Sequence, residues 1–190
     1  MPPSSAKEPK APKASKEMPT RYRKGVGIVL VNGNKEIFVA QRADAFSRYW
    51  QMPQGGIEPN ESPLHAALRE LKEETGIQSV TLLKHTQQWL QYDLPAELLG
   101  RLWNGRYRGQ QQKWFLMQFT GTSADIDLQA HTPAEFIRYR WSAVPEVIAH
   151  VVPFKRALYQ EIMRAFAPFL SVSVSSQERE RVDIDTQAHR

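Results

Sequence analysis

The chain has 190 residues, no Cys and a formal net charge of +5. That length suits one domain with or without tails, and the lack of Cys excludes a disulfide scaffold, thiolate zinc or iron–sulfur sites and a Cys nucleophile. Residues 1–24 carry seven cations against two anions and residues 25–190 carry eighteen of each, so the basic excess belongs to one end and is weak evidence for nucleic-acid binding by the rest.

Residues 1–20 hold no Val, Ile, Leu or aromatic side chain. Such a segment cannot bury enough apolar area to offset its ordering entropy, and it reads as a disordered basic tail. It lacks the apolar stretch of a secretory signal, and its Lys and Glu content suits a transit peptide poorly. No apolar run approaches the roughly 20 residues of a membrane span. A cytoplasmic protein with no membrane partner is expected.

A domain is expected over 21–170. Gly25–Val31 and Glu36–Ala40 are β-rich, and Asn32-Gly33-Asn34 between them signals a hairpin. Pro53-Gln54-Gly55-Gly56 reads as a loop. A helix follows over 62–76. Ser62 suits the N-cap, Pro63 the first turn and Gly76 the stop. Leu64, Ala67, Leu68, Leu71 and Thr75 form its apolar stripe. Strands are expected over Val80–Thr86, Lys113–Phe119 and Phe136–Trp141, with a long loop over 92–112. Phe154–Phe169 predicts a second amphipathic helix, its stripe being Phe154, Leu158, Ile162, Ala165 and Phe169. Residues 171–190 read as a flexible C-terminal tail. The pattern is mixed α/β, a sheet covered by two helices.

The first helix carries candidate chemistry. With Leu64 at zero on the helical wheel, Glu70, Glu73 and Glu74 fall between about 180° and 280°. Like charges at i,i+3 and i,i+4 repel, so something positive should neutralise them. Arg69 can reach Glu73 but cannot serve all three. Mg²⁺ suits such a set, because it takes hard oxygen ligands and bridges carboxylates to substrate phosphates. A plain acidic solvent face is the competing reading.

The surrounding residues favour the metal. Gly55, five residues, Glu61, seven residues, Arg69-Glu70-Leu71, one residue, Glu73-Glu74, one residue and Gly76-Ile77 together resemble the signature of the Nudix hydrolases. The resemblance implies an α/β/α sandwich with a mixed sheet, its loop–helix–loop box holding divalent metal. It implies hydrolysis of phosphoric anhydride bonds in a nucleoside diphosphate linked to another group. Glu70, Glu73, Glu74 and the Gly55 backbone would hold Mg²⁺, or Mn²⁺ or another divalent cation, and Arg69 would orient Glu73. Gly56 lets the backbone approach phosphate closely, while Glu61 and Gly76 are structural.

The likeness extends further. Arg23–Val29, Trp50–Gly56, Gly109–Leu116, Thr132–Phe136 and Pro153–Arg156 look like the bacterial branch of RNA 5′-pyrophosphohydrolases and dinucleoside polyphosphate hydrolases. Lys24-Gly25 departs from it where many relatives have Pro after the Arg. By this resemblance Arg23, Arg42 and Lys113 would contact phosphate, Tyr92 and Phe154 would border the base, and Glu135 would be a further metal ligand or the general base, a role open also to Glu73. Arg106 and Arg108 join Arg101 and Lys113 in an acid-free basic segment suited to phosphate. The five Trp residues are expected to be packing.

The expected substrate is 5′-triphosphorylated RNA, converted to 5′-monophosphate RNA and so entering mRNA decay. The alternative is a dinucleoside polyphosphate such as diadenosine tetra- or pentaphosphate. A catalytically inactive RNA-binding module is a third reading, disfavoured by the intact acidic set.

Overall fold

The computed structural model describes residues 18–171 except Ala45 and Ser47. The tail expected over 1–20 lies outside the described residues but for 18–20, and that over 171–190 but for Ser171.

The described chain forms an eight-stranded mixed sheet with β1 (Tyr22–Val31) at its centre. β1 is buried from Gly25 to Val31, with no polar alternation, as befits a strand covered on both faces. It turns through Asn32–Glu36 into β2 (Ile37–Arg42), where the Asn32 side-chain oxygen accepts from the Asn34 and Glu36 backbone N–H groups. On its other edge β1 runs parallel to β7 (Gly109–Phe119) over ten pairs, Tyr22 opposite Gly109 and Val31 opposite Gln118.

Two expected loops carry strands. Gln54–Gly56 is β4, antiparallel to β1 with Gly25 opposite Gly56, and β3 (Trp50–Gln51) precedes it on β2. The segment 92–112 is shortened at both ends. β6 (Leu90–Asp93) pairs with the first residues of β7, which begins four residues before the expected Lys113. Gln110, Gln111 and Gln112 give that stretch the composition of a loop, but Gln110 and Gln112 are buried and supply ladder bonds. β5 (Val80–His85) lies on the upper edge of β7, and β8 (Phe136–Ser142) on β2.

Helix α1 (Pro63–Thr75) has the expected limits. The Ser62 hydroxyl accepts from the His65 N–H at 3.3 Å, and Gly76 closes the helix at φ 73°. Its buried face is rotated from the expected stripe. Leu68 is 40% exposed, whereas Ala66, Ala67, Leu71 and Glu74 are buried. α1 covers one sheet face with Val26, Ile28, Leu30, Phe38 and Phe115.

The opposite face, built on Val29, Val39, Trp114 and Leu116, is covered by α2 (Val144–His150) and α3 (Arg156–Leu170). The sheet therefore lies between helical layers, an α/β/α arrangement with three helices rather than two. α2 is a seven-residue helix with one buried side chain, too short to show a period. α3 buries Leu158, Tyr159, Ile162, Met163, Phe166 and Leu170. That stripe keeps Leu158 and Ile162 of the expected one and leaves Ala165 and Phe169 exposed. No helix among the described residues is long and apolar enough to cross a membrane.

Candidate active site

Arg69 organises the acidic side of the site. Its Nε and Nη2 donate to the two Glu61 carboxylate oxygens at 2.8 and 2.9 Å, and Nη2 also donates to the Gly56 carbonyl at 2.9 Å. Its Nη1 lies 3.0 Å from Glu70 Oε1 and 3.1 Å from Glu73 Oε2. The guanidinium thus ties the loop before α1 to two carboxylates on it, a use of the planar fork that Lys cannot copy. Glu61 also accepts from the Glu58 N–H at 3.0 Å, which ties it to the loop before α1.

These bonds from Arg69, with the Glu58 N–H behind them, hold the Glu61 carboxyl down to about 2 from an ordinary 4.5. A depressed carboxyl stabilises the fold above its unfolded pKa and loses that contribution as pH falls through the folded value. The melting temperature should therefore drop between about pH 4.5 and 2. Glu61→Gln should flatten this part of the profile in thermal melts run across that range.

The three helical carboxylates differ in burial as the wheel predicts once the buried arc is centred near Ala67 and Leu71. The Glu73 side chain is 40% exposed, that of Glu70 is 15% exposed, and Glu74 is buried. The Gln54 N–H donates to Glu74 Oε2 at 3.0 Å, while the buried Glu74 Oε1 has no hydrogen-bond partner. Burial raises the Glu74 carboxyl well above the ordinary range, and the charges of Glu135 and Glu70 add to this. Burial likewise raises Glu70.

The Gly55 backbone lies against Glu70. A Cβ there would fall 1.8 Å from the Glu70 carboxyl carbon. Gly55→Ala should displace Glu70 and lower kcat/KM by about 100-fold. A Gly55→Ala enzyme with normal turnover would show that Glu70 need not stay in place.

Glu135 reaches the site from the segment before β8. It is ion-paired with Arg42, which also pairs with Asp44 at 2.7 Å. Among the described residues no three acidic or His side chains gather tightly enough to enclose an ion by themselves. Yet Glu70, Glu74 and the nearby Gly55 backbone offer the hard oxygens that a divalent cation would take, and one of them, Glu74 Oε1, is buried without a partner. An ion that keeps waters and takes oxygens from substrate needs no closed protein cage.

Beside these acids opens a cavity of about 330 Å³. Gln54, Gly55, Gly56, Glu70 and Glu135 form its acidic and backbone end. Arg23 and Arg42 supply positive charge, and Lys155 lies beside them. Arg23 lies against the Gly56 backbone and 5.6 Å over the Trp103 ring. Tyr92 and Phe154 face each other with ring centroids 5.8 Å apart, and the Tyr92 hydroxyl donates to Gln110 at 3.0 Å.

Arg23, Arg42, Tyr92, Phe154 and Glu135 thus meet at the cavity with Glu70, Gly55 and Gly56. Other expected contacts lie elsewhere. The Lys113 ammonium donates to the Thr86 and Gln87 carbonyls at 3.0 and 2.5 Å. Arg108 pairs with Asp93 beside Tyr22, and Arg106 lies over Tyr107. None of the three lines the cavity.

Lys155 had no expected role. It is 6% exposed, its ammonium 4.9 Å over the Tyr92 ring. Burial, helped by the charge of Arg42, lowers it to about 7. A Lys directly after Phe154 at the start of an apolar stripe was the available signal. Trp50 and Trp103, expected as packing, also line the cavity. Trp103 stands at positive φ in a short helical turn, a placement no composition reveals.

The NUDIX domain family profile matches residues 21–162. A Rhodospirillum rubrum protein named RNA pyrophosphohydrolase is 48% identical over 161 residues, covering 85% of this chain and 95% of the relative. One of the same name from Cereibacter sphaeroides (strain KD131) is 50% identical over 152 residues, covering 79% and 93%. The structure of the E. coli dihydroneopterin triphosphate pyrophosphohydrolase superposes with a TM-score of 0.59 at 24% identity, covering 74% of this chain and 95% of that one, which speaks to the fold. With the profile spanning nearly all the described residues, and relatives this similar over almost their whole length, the chain belongs to the Nudix hydrolase family.

Proposed function

We propose that this Nudix hydrolase is an RNA 5′-pyrophosphohydrolase. The observation that carries the reading is the cavity, where carboxylate oxygens meet Arg23 and Arg42 within reach of a Tyr92–Phe154 pair. A 5′-triphosphate needs the first two groups, and its nucleoside needs the third. The similarity to proteins named RNA pyrophosphohydrolase supports the same substrate.

Nudix hydrolases generally use divalent cations, and Mg²⁺ is the ion proposed here. Glu70, Glu74 and the Gly55 backbone would hold it, with Glu73 and Glu135 completing the acidic set. When bound, the cation neutralises phosphate charge and acidifies water. Arg23 and Arg42 bind the phosphate oxygens and keep the chain of anhydrides extended. Tyr92 and Phe154 hold the nucleoside by stacking, which tolerates different 5′ ends. Water attacks a triphosphate phosphorus, a carboxylate takes its proton, and the P–O anhydride bond breaks toward pyrophosphate. Glu73 and Glu135 are the two candidate bases.

The product is 5′-monophosphate RNA. Such an end would commit a cytoplasmic message to decay. The test is one substrate panel in one buffer, with 5′-triphosphorylated RNA beside diadenosine tetraphosphate and chromatographic product analysis. Pyrophosphate and 5′-monophosphate RNA are expected as the preferred products. A large preference for the dinucleotide would replace this reading with a dinucleoside polyphosphate hydrolase.

A further inference from the structure

The cavity is at the small end for ligand pockets, so an RNA chain must leave it after its 5′-terminal nucleotides. The wall at Trp50 carries an unassigned cation pair. Register puts Arg138 opposite Gln41 and Gln41 opposite Trp50, with Arg140 opposite Val39 two residues along β8. The Arg140 guanidinium carbon stands 4.3 Å over the Trp50 ring, and that of Arg138 stands 5.5 Å over it. Arg138 donates to the Gln41 side chain. Arg140 lies 3.2 Å from His150 Nδ1, and its buried Nε has no partner.

Arg138 and Arg140 lie outside the cavity lining, and charge separates them from Arg42 and Arg69, though Arg23 shares their lack of an ion pair among the described residues. Arg42 and Arg69 are each ion-paired. Neither Arg138 nor Arg140 has a carboxylate within 4.0 Å among the described residues. Their strand positions are two residues apart, about 6.8 Å, which suits consecutive phosphates of an extended single strand. With Arg138 Nε on Gln41 and Arg140 Nη2 beside His150, the Arg138 Nη groups and Arg140 Nη1 are left to bind phosphate.

We propose that Arg138 and Arg140, stacked on Trp50, form a subsite for the phosphodiester backbone of the RNA nucleotides that follow the 5′ end. This rests on the RNA reading above. A dinucleoside polyphosphate has no such backbone, so the subsite selects for RNA.

The experiment compares 5′-triphosphorylated RNAs two and twelve nucleotides long, in 50 to 200 mM salt, with wild type, Arg138→Ala and the Arg138→Ala/Arg140→Ala double variant. Wild type should prefer the longer RNA, with a KM that climbs more steeply with salt. The double variant should raise KM for the longer RNA about tenfold, with a salt slope shallower by about 1.4. Its loss on the two-nucleotide RNA should stay within about twofold, and kcat should hold on both RNAs.

An equal fall on both lengths would reduce the pair to packing on Trp50 and overturn the subsite. So would an unchanged KM for the longer RNA. Should the double variant not fold, Arg138→Glu at this exposed position must show the same length-selective loss. If wild type turns over both RNAs equally and with one salt slope, the subsite fails and the RNA reading stands. If it cleaves diadenosine tetraphosphate and neither RNA, the RNA reading fails and takes the subsite with it.

Discussion

Replacing Glu74 with Gln is expected to lower kcat by about 10³-fold, equivalent to roughly 4 kcal/mol of transition-state stabilisation. Glu74 is the buried carboxylate of the set, with one oxygen on the Gln54 N–H and the other unpartnered. Gln keeps the shape and can keep the Gln54 bond through its own carbonyl oxygen. It cannot supply the second anionic oxygen. The fold should survive, because the change also removes a buried charge set beside Glu70 and Glu135. In chelator, the variant should melt no lower than wild type.

The same variant separates metal binding from other roles. Mg²⁺ at 100 times its Kd stabilises a protein that binds only when folded by about 2.7 kcal/mol, or roughly 5 °C or more for a domain of this size. Wild type should show that rise in melting temperature and Glu74→Gln should not. Near-normal turnover by Glu74→Gln in Mg²⁺, with the thermal shift intact, would remove Glu74 from the metal site.

Arg69→Met is expected to damage stability and activity together. The change strands Glu61, Glu70 and Glu73 and removes a donor from the Gly56 carbonyl. Breaking a buried pair costs about 3–5 kcal/mol. The Arg69 side chain is 24% exposed, so about 2–3 kcal/mol is the proper expectation. With Glu70 no longer positioned, kcat/KM should fall about 10- to 100-fold. Arg69→Lys should recover part of the stability and little of the activity, since an ammonium cannot bridge loop and helix at once. Thermal melts and kcat/KM on one preparation check both. Wild-type values for Arg69→Met would mean that the loop holds its shape without this residue.

Much of the box was legible because its rules are local. Ser62, Pro63 and Gly76 bound α1 by capping chemistry within four residues of each end. Asn32 set the turn after β1 through bonds to Asn34 and Glu36. The crowding of Glu70, Glu73 and Glu74 also followed from helical spacing alone. The family resemblance added the branch, and relatives 48–50% identical bear it out.

What the sequence by itself determined, then, was which residues share a helix face and where that helix begins and ends. The tertiary structure decided which of those carboxylates loses its water. The expected stripe centred on Leu64, but the sheet packs nearer Ala67 and Leu71, which carries Glu74 inside and turns Leu68 out. Partners distant in the chain made the other decisions. Gln54–Gly56 became a strand because Gly25–Gly27 lay alongside, and Glu135 reached Arg42 across 93 residues. Lys155 lost its solvent where α3 begins beside Tyr92. Capping and turn preferences act over a few residues and can be read from them. Desolvation and strand pairing depend on which distant segment arrives, and no local pattern encodes that arrival.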